Sequence, residues 1–360
     1  MNREMRSDLF VPGRLCLFGE HSDWAGGYRV THPDILPGYC LVAGTDQGLS
    51  ASASAVDGFL EISAEVADGA RVGPEKIPTD AASLEAVSTS RGFFSYAAGT
   101  FAELRARHGI GGLQLAVRSD LPIRKGLSSS AAICVLVARA VSRVHGLDLD
   151  VEQEMDIAYA GERRSGSECG RMDQICAYGQ RAVAMHIDGS ALRFEPVACG
   201  GAFHLLIVDL CRGKDTRKIL ADLNACFPAA QGAMAAGVRE ALGERNREVF
   251  QVAHEHLVAG DPRALGELMT AAQEIFDEFV APASSELAAP RLHEVLSHPA
   301  LRELAWGGKG VGSQGDGCAQ IVARGASERD ALATRLESEL GVRCLALTLR
   351  EAAAGTDPGR

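Results

Sequence analysis

The stretch LPIRKGLSSSAAICVLVARA, residues 121–140, joins a basic loop containing Pro122 and Gly126 to a strongly apolar segment. The apolar spacing runs on to His145, and Gly146 stands at the usual stop position, so a helix over Ser129–His145 is predicted. Small residues at its start leave the first backbone N–H groups unblocked at the positive end of the helix dipole. No acidic residue occurs between Asp120 and Asp148. From Arg118 to Arg143 five basic residues face one acid, a local surplus of four positive charges in a chain of formal charge −11. Two readings fit: an anion site at the helix start, or a buried helix that its serine run caps.

Working outward, LQLAVRS before this stretch alternates as a strand, and RGFFSYAAGTFAELRARH (91–108) has helical spacing through Phe94, Ala98, Phe101 and Leu104. A second helix, roughly 150–165, runs into the glycine-rich SGSECGRMDQ. Strand-like runs dominate the first 70 residues, with a polar, turn-rich segment from Glu20 to Pro37 between two of them. In the second half, RAVAMHI and HLLIVDL read as strands, followed by helices from about 217 to 298 with breaks at Pro228, Gly260–Asp261–Pro262 and Pro282. AQIVAR, SERDALATRLESEL and RCLALTL then read as strand, helix and strand. The mixture implies an α+β fold rather than the regular alternation of a doubly wound sheet. A domain boundary is expected near residue 200, giving domains 1–200 and 201–360.

The 360 residues suffice for two domains, with 46% hydrophobic and 23% charged residues. With 36 basic against 47 acidic residues and no basic tail, binding nucleic acid or anionic lipid is not expected as the main task. No run approaches a membrane span. The charged start MNREMRSDLF is unlike a secretory signal, so a cytoplasmic location is expected. The ten cysteines are scattered, with no Cys-x-x-Cys, and several lie in apolar runs, which favours free buried thiols.

Three further segments carry chemistry. In GERRSGSECGRMDQICAYG (161–179), Glu162 and Asp173 are two carboxylates that can hold a divalent cation or accept a proton, although Asp173 can equally cap a following helix. GGKGVGSQGDG (307–317) has six glycines in eleven positions. It precedes a strand rather than following one, which argues against a dinucleotide fingerprint, and it lacks the Ser or Thr after Gly-Lys that a P-loop requires. It reads as a flexible loop that lets backbone approach a neighbour closely. In VPGRLCLFGEHSDWAGGYRV (11–30), Glu20, His21 and Asp23 crowd a turn beside Trp24, a pattern suited to a polyhydroxylated ligand or simply to a solvated turn.

Together and in this order, VPGRLCLFGEHSDWAGGYR, RGFFSYAAGTF, LPIRKGLSSSAA, CGRMDQ and GGKGVGSQGDGC resemble the GHMP kinase superfamily, and most of all its galactokinase-type sugar kinases. The resemblance implies an N-terminal domain like ribosomal protein S5 domain 2 and a ferredoxin-like C-terminal domain, with ATP and a small substrate meeting between them. It implies Asp173 as catalytic base and Arg14 as its neighbour. Arg124, Lys125, Gly126, Leu127, Ser128, Ser129 and Ser130 fall on the ATP-phosphate loop, Ser130 and Glu162 on the Mg²⁺ ligands. Arg14, Glu20, His21, Asp23, Gly170 and Asp173 fall on substrate contacts. The implied activity is ATP- and Mg²⁺-dependent phosphorylation of a hydroxyl on a monosaccharide or sugar-like polyol. An inositol-like cyclitol kinase, or a catalytically silent sugar- and ATP-binding sensor, is the alternative. Departures from the galactokinase pattern include the basic Arg124 and Lys125, Trp24 in place of Tyr, and Ser313, Gln314 and Asp316 within the third glycine-rich motif.

Overall fold

A computed structural model describes residues 9–67, 69–121, 127–167 and 169–350. In chain order the elements begin β1 (Leu9–Phe18), α1 (Ser22–Gly27), β2 (Gly38–Val56), β3 (Phe59–Glu65), β4 (Arg71–Pro78), α2 (Ala81–Thr89), α3 (Ser95–His108) and β5 (Gly112–Ser119). They continue with α4 (Ser129–His145), α5 (Val151–Arg164), β6 (Ala182–Asp188), β7 (Ala191–Val197), β8 (Phe203–Asp209), α6 (Thr216–Ala225), α7 (Ala233–Glu240), α8 (Asn246–Ala259) and α9 (Pro262–Phe279). The last are α10 (Pro290–Leu296), α11 (Pro299–Leu304), β9 (Ala305–Gly310), β10 (Cys318–Ala323), α12 (Ala326–Leu340) and β11 (Arg343–Leu349). The described residues divide into two compact units, one of 9–14 with 44–180, the other of 15–43 with 181–350. The fold is mixed α+β, as the sequence implies.

In the first unit, β3 pairs antiparallel with β4 and parallel with β5, while β5 pairs antiparallel with the Leu49–Val56 half of β2. The parallel step needs a crossover, which β4, α2 and α3 supply. Helix α4 begins and ends where the sequence places it, closed by Gly146 at φ 66°. Its side chains from Ala131 to Val141, Ile133 apart, are buried, including Val135, Leu136 and Val137. Arg139 interrupts this apolar run, yet it is buried against Glu154 of α5, donating from Nη2 to Oε2 at 2.7 Å. Asp150 caps α5 through a reciprocal capping box with Gln153. Helices α3 and α5 cross through two glycines: a Cβ on Gly161 would lie 2.8 Å from Thr100 Cβ, and one on Gly99 would overlap the Gly161 carbonyl.

In the second unit, the Gly38–Ala43 half of β2 pairs with β6, and β6 with β7, all antiparallel. A separate four-stranded antiparallel sheet has the order β11-β8-β10-β9. That is the ferredoxin-like order, with α6 to α11 between its first two strands and α12 between its last two. One apolar core, including Leu292, Ile321, Leu332 and Leu336, joins this sheet to α10 and α12. A second, with Ile219, Leu223, Val238 and Phe276, holds α6, α7 and α9, and Trp24 and Tyr28 pack against it. A π-helical turn, Ala241–Arg245, separates α7 from α8.

The glycine-rich segment 307–317, read from sequence as a flexible loop, starts as strand β9, whose residues Gly308, Lys309 and Gly310 are buried. Its glycines make room for neighbouring backbone: a Cβ on Gly308 would lie 2.6 Å from the Gln320 carbonyl, and one on Gly266 of α9 would lie 2.5 Å from Trp306. Close approach is real here, but the neighbours are the chain's own strand and helix. All ten cysteines are free thiols. Among the described residues no helix is long and apolar enough to cross a membrane.

Candidate active site

In the first unit, four of the residues singled out from sequence come together. Arg14, 7% exposed in the middle of β1, donates from Nε to Asp173 Oδ1 at 2.9 Å, and its Nη2 bonds the same oxygen. Asp173 opens a short 3₁₀ turn, Asp173–Tyr178, and keeps 21% of its side chain exposed. A carboxylate gripped by guanidinium through one oxygen, on a segment that stays partly open, is oriented and still reachable. The next residue, Gln174, donates from Nε2 to Glu162 Oε2 at 3.1 Å, so one turn fixes both carboxylates.

Glu162, on the last turn of α5, is 1% exposed. Burial pushes its carboxyl up to about 7, and the nearby Asp173 charge adds to that; hydrogen bonds from Ser130, Gln174 and Cys169 pull the other way. Among the described residues its hydrogen-bonding neighbours Ser130, Ser167, Gln174 and Cys169 include no cation. A buried carboxyl that shares its surroundings with a second carboxylate and a serine hydroxyl, and lacks a basic partner, is a donor set that suits a hard, oxygen-seeking cation.

Ser128 takes a left-handed conformation, φ 53° and ψ 48°, and its side chain does not cap α4. No acidic side chain lies in the first turn, so the N–H groups at the start of this 17-residue helix are not claimed by a side-chain cap. Leu127 is buried and accepts the Arg14 backbone N–H at 3.1 Å, while Ser128, Ser129 and Ser130 are half-buried. The middle of β1, which carries Arg14, is therefore tied to the residues just before α4. Arg124, Lys125 and Gly126 lie outside the described residues. Gly170 sits three residues before Asp173, half-buried.

Glu20, His21 and Asp23 belong to the second unit. Glu20 forms a buried ion pair with Lys309 of β9, whose side chain is only 2% exposed. His21, at the N-terminus of α1 with φ 67°, accepts at Nδ1 from Trp24 Nε1 at 3.1 Å. That bond places the neutral ring's proton on Nε2. Burial lowers its pKa to about 4; the Ser313 backbone opposes this, and the charges of Lys214 and Lys309 reinforce it. Asp23 is half-buried in the first turn of α1. Trp24 meets Phe227 edge-on, with centroids 5.5 Å apart, so its ring is part of an aromatic cluster. Asp316, in the altered third motif, accepts at Oδ1 from the Arg291 and Leu292 N–H groups at 2.9 and 3.0 Å, holding the first turn of α10.

Sequence reasoning missed Gln174 and Lys309. Gln174 carried no signal of its own. Lys309 carried one: a lone lysine inside an otherwise glycine and apolar run that proves to be a buried strand.

Residues 95–180 match the GHMP kinases N terminal domain. The galactokinase of Mycobacterium tuberculosis is 28% identical over 307 residues, spanning 81% of this chain and 77% of its own length. The galactokinase of Thermotoga maritima is 29% identical over 190 residues, 52% of this chain and 48% of the relative. Among solved structures, Lactococcus lactis galactokinase complexed with galactose superposes with a TM-score of 0.70 at 18% identity, covering 97% of this chain and 95% of that one. The L. major mevalonate kinase in complex with R-mevalonate gives 0.71 at 18% identity, covering 98% and 100%. Residues 95–180 thus carry a GHMP kinases N terminal domain, and the chain as a whole resembles the GHMP kinase superfamily and is a phosphotransferase with an alcohol group as acceptor. Within that class, the relatives by sequence just described are galactokinases.

Proposed function

We propose that the chain is an ATP-dependent kinase that transfers the γ-phosphate to a hydroxyl of a monosaccharide or sugar-like polyol, with Asp173 as base. The observation that carries this reading is the Arg14–Asp173 pair held on the same short turn as the Gln174–Glu162 bond. The galactokinase relatives support a sugar-like acceptor.

Phosphoryl transfer asks for alignment and charge neutralisation more than for covalent chemistry. Asp173 takes the proton of the attacking hydroxyl as the new O–P bond forms and the bond to the bridging β,γ-oxygen breaks. A positioned base is worth roughly 10²–10⁴ in rate. Arg14 holds the carboxylate in place and supplies positive charge beside the transferring group. The start of α4, Leu127 to Ser130, offers backbone N–H donors to the phosphates, and Arg124, Lys125 and Gly126 are the further proposed ATP-binding residues. Ser130 and Glu162 are the proposed Mg²⁺ ligands; Mg²⁺ supplies neutralisation of phosphate charge when bound. Glu20, His21, Asp23 and Gly170 are the proposed hydroxyl-binding residues. ATP dependence and ten free thiols support a cytoplasmic location.

Purified protein is expected to release ADP from ATP with at least one member of a sugar and cyclitol panel, with the phosphorylated position read by NMR. Calorimetric binding of sugar and ATP without turnover of any panel member would replace the kinase with a sensor.

A further inference from the structure

The second unit contains a cavity of about 50 Å³ with Glu20 on its wall. Lys309 and Gln314 share that wall, and the π-helical turn contributes Leu242 and Arg245. Phe276 and Val280 form an apolar side.

Gln314 breaks two rules there. Its backbone is left-handed at φ 64°, a conformation that favours glycine or asparagine, and such strain persists where the surroundings hold it. The residue is 1% exposed, yet both Oε1 and Nε2 lack a hydrogen-bond partner among the described residues. Burying both ends of an amide unpaired is costly, so the site is built for an occupant that offers one donor and one acceptor side by side. The side chain is folded over Gly310, where a Cβ would overlap Oε1, so the glycine makes room for the amide.

The charge balance narrows the occupant. Lys309 and Glu20 neutralise each other on the same wall, so no unmatched charge from this pair calls for a charged group. A cavity this small takes an edge of a ring rather than a whole hexose.

We propose that Gln314 is a specificity-determining residue, whose amide receives two adjacent hydroxyls of the substrate ring, one donating to Oε1 and the other accepting from Nε2. The inference rests on the sugar- or polyol-kinase reading and names what that substrate must present, a vicinal diol. Leu242, Phe276 and Val280 face the ring's apolar edge.

The test is the kcat/KM for ADP release with D-galactose, D-glucose, myo-inositol and the monodeoxy derivative at each position of whichever parent is turned over. Loss of either of two neighbouring hydroxyls is expected to cost about ten- to a hundredfold, and loss of a remote one much less. Gln314→Asn keeps an amide and tolerates the left-handed backbone but retracts the group by one methylene, so the deoxy discrimination should collapse. Turnover with no adjacent pair of sensitive positions, or discrimination unaltered in Gln314→Asn, overturns the inference while leaving the kinase reading intact. If no parent is turned over, the kinase reading fails and the same series is read by calorimetric binding; a diol dependence there sustains the inference. Absence of binding by every parent overturns it.

Discussion

Acid should destabilise the second unit through His21. The ring is 4% exposed, and burial lowers its pKa from 6.5 to about 4. The unfolded chain then binds a proton in a pH range where the fold refuses it. Stability is full above pH 6.5 and is lost as pH falls towards 4. A shift of that size corresponds to about 3 kcal/mol at 1.36 kcal/mol per unit, of which about 2 kcal/mol is lost by pH 5. Against a typical stability of roughly 5–15 kcal/mol this is a large share. The assay is urea unfolding followed by tryptophan fluorescence at pH 7.5 and 5.0, since both tryptophans, Trp24 and Trp306, lie in the second unit. Comparison with His21→Asn cancels every other titrating group, because only the difference in pH dependence is used. Wild type should lose about 2 kcal/mol more than the variant between the two pH values. Equal losses would refute the claim that His21 is held neutral by burial.

Glu162 has the opposite sign: its carboxyl is pushed up to about 7, so folding favours the protonated form and stability falls as pH rises from 4.5 through 7. Without divalent cation at pH 8, Glu162→Gln should therefore raise the midpoint of thermal unfolding, by about 1–3 kcal/mol in stability, while ADP release falls at least about a hundredfold. Arg139→Met should cost about 3–5 kcal/mol in urea unfolding, because it strands buried Glu154 and removes the 2.7 Å bond to the Ala177 carbonyl. Gly161→Ala forces α5 off α3 at Thr100 and displaces the neighbouring Glu162. It should cost about 1–3 kcal/mol and depress ADP release together, measured by thermal unfolding and steady-state kinetics.

The legibility of the sequence followed burial. Helix α4 was readable to the residue because one long apolar run ends on a left-handed glycine. Strands β4 and β7 were not, since RVGPEKIP and ALRFEPV each contain a proline and bury only one side chain fully. Strand β9 was hidden by its glycines, which have low strand propensity; it exists because β10 and α9 hold it. Arg14 and Asp173 are 159 positions apart, and Glu20 and Lys309 are 289 apart. No spacing rule reaches such distances. The first pair was found through family resemblance, and the second only through the fold.

The central claim is that Asp173 accepts the proton of the attacking hydroxyl. Asp173→Asn keeps an oxygen for Arg14 and removes the base, so it isolates that role. With the best acceptor sugar, kcat for ADP release should fall roughly 10²–10⁴-fold while ATP binding is retained. A variant that turns over at the wild-type rate would contradict the account.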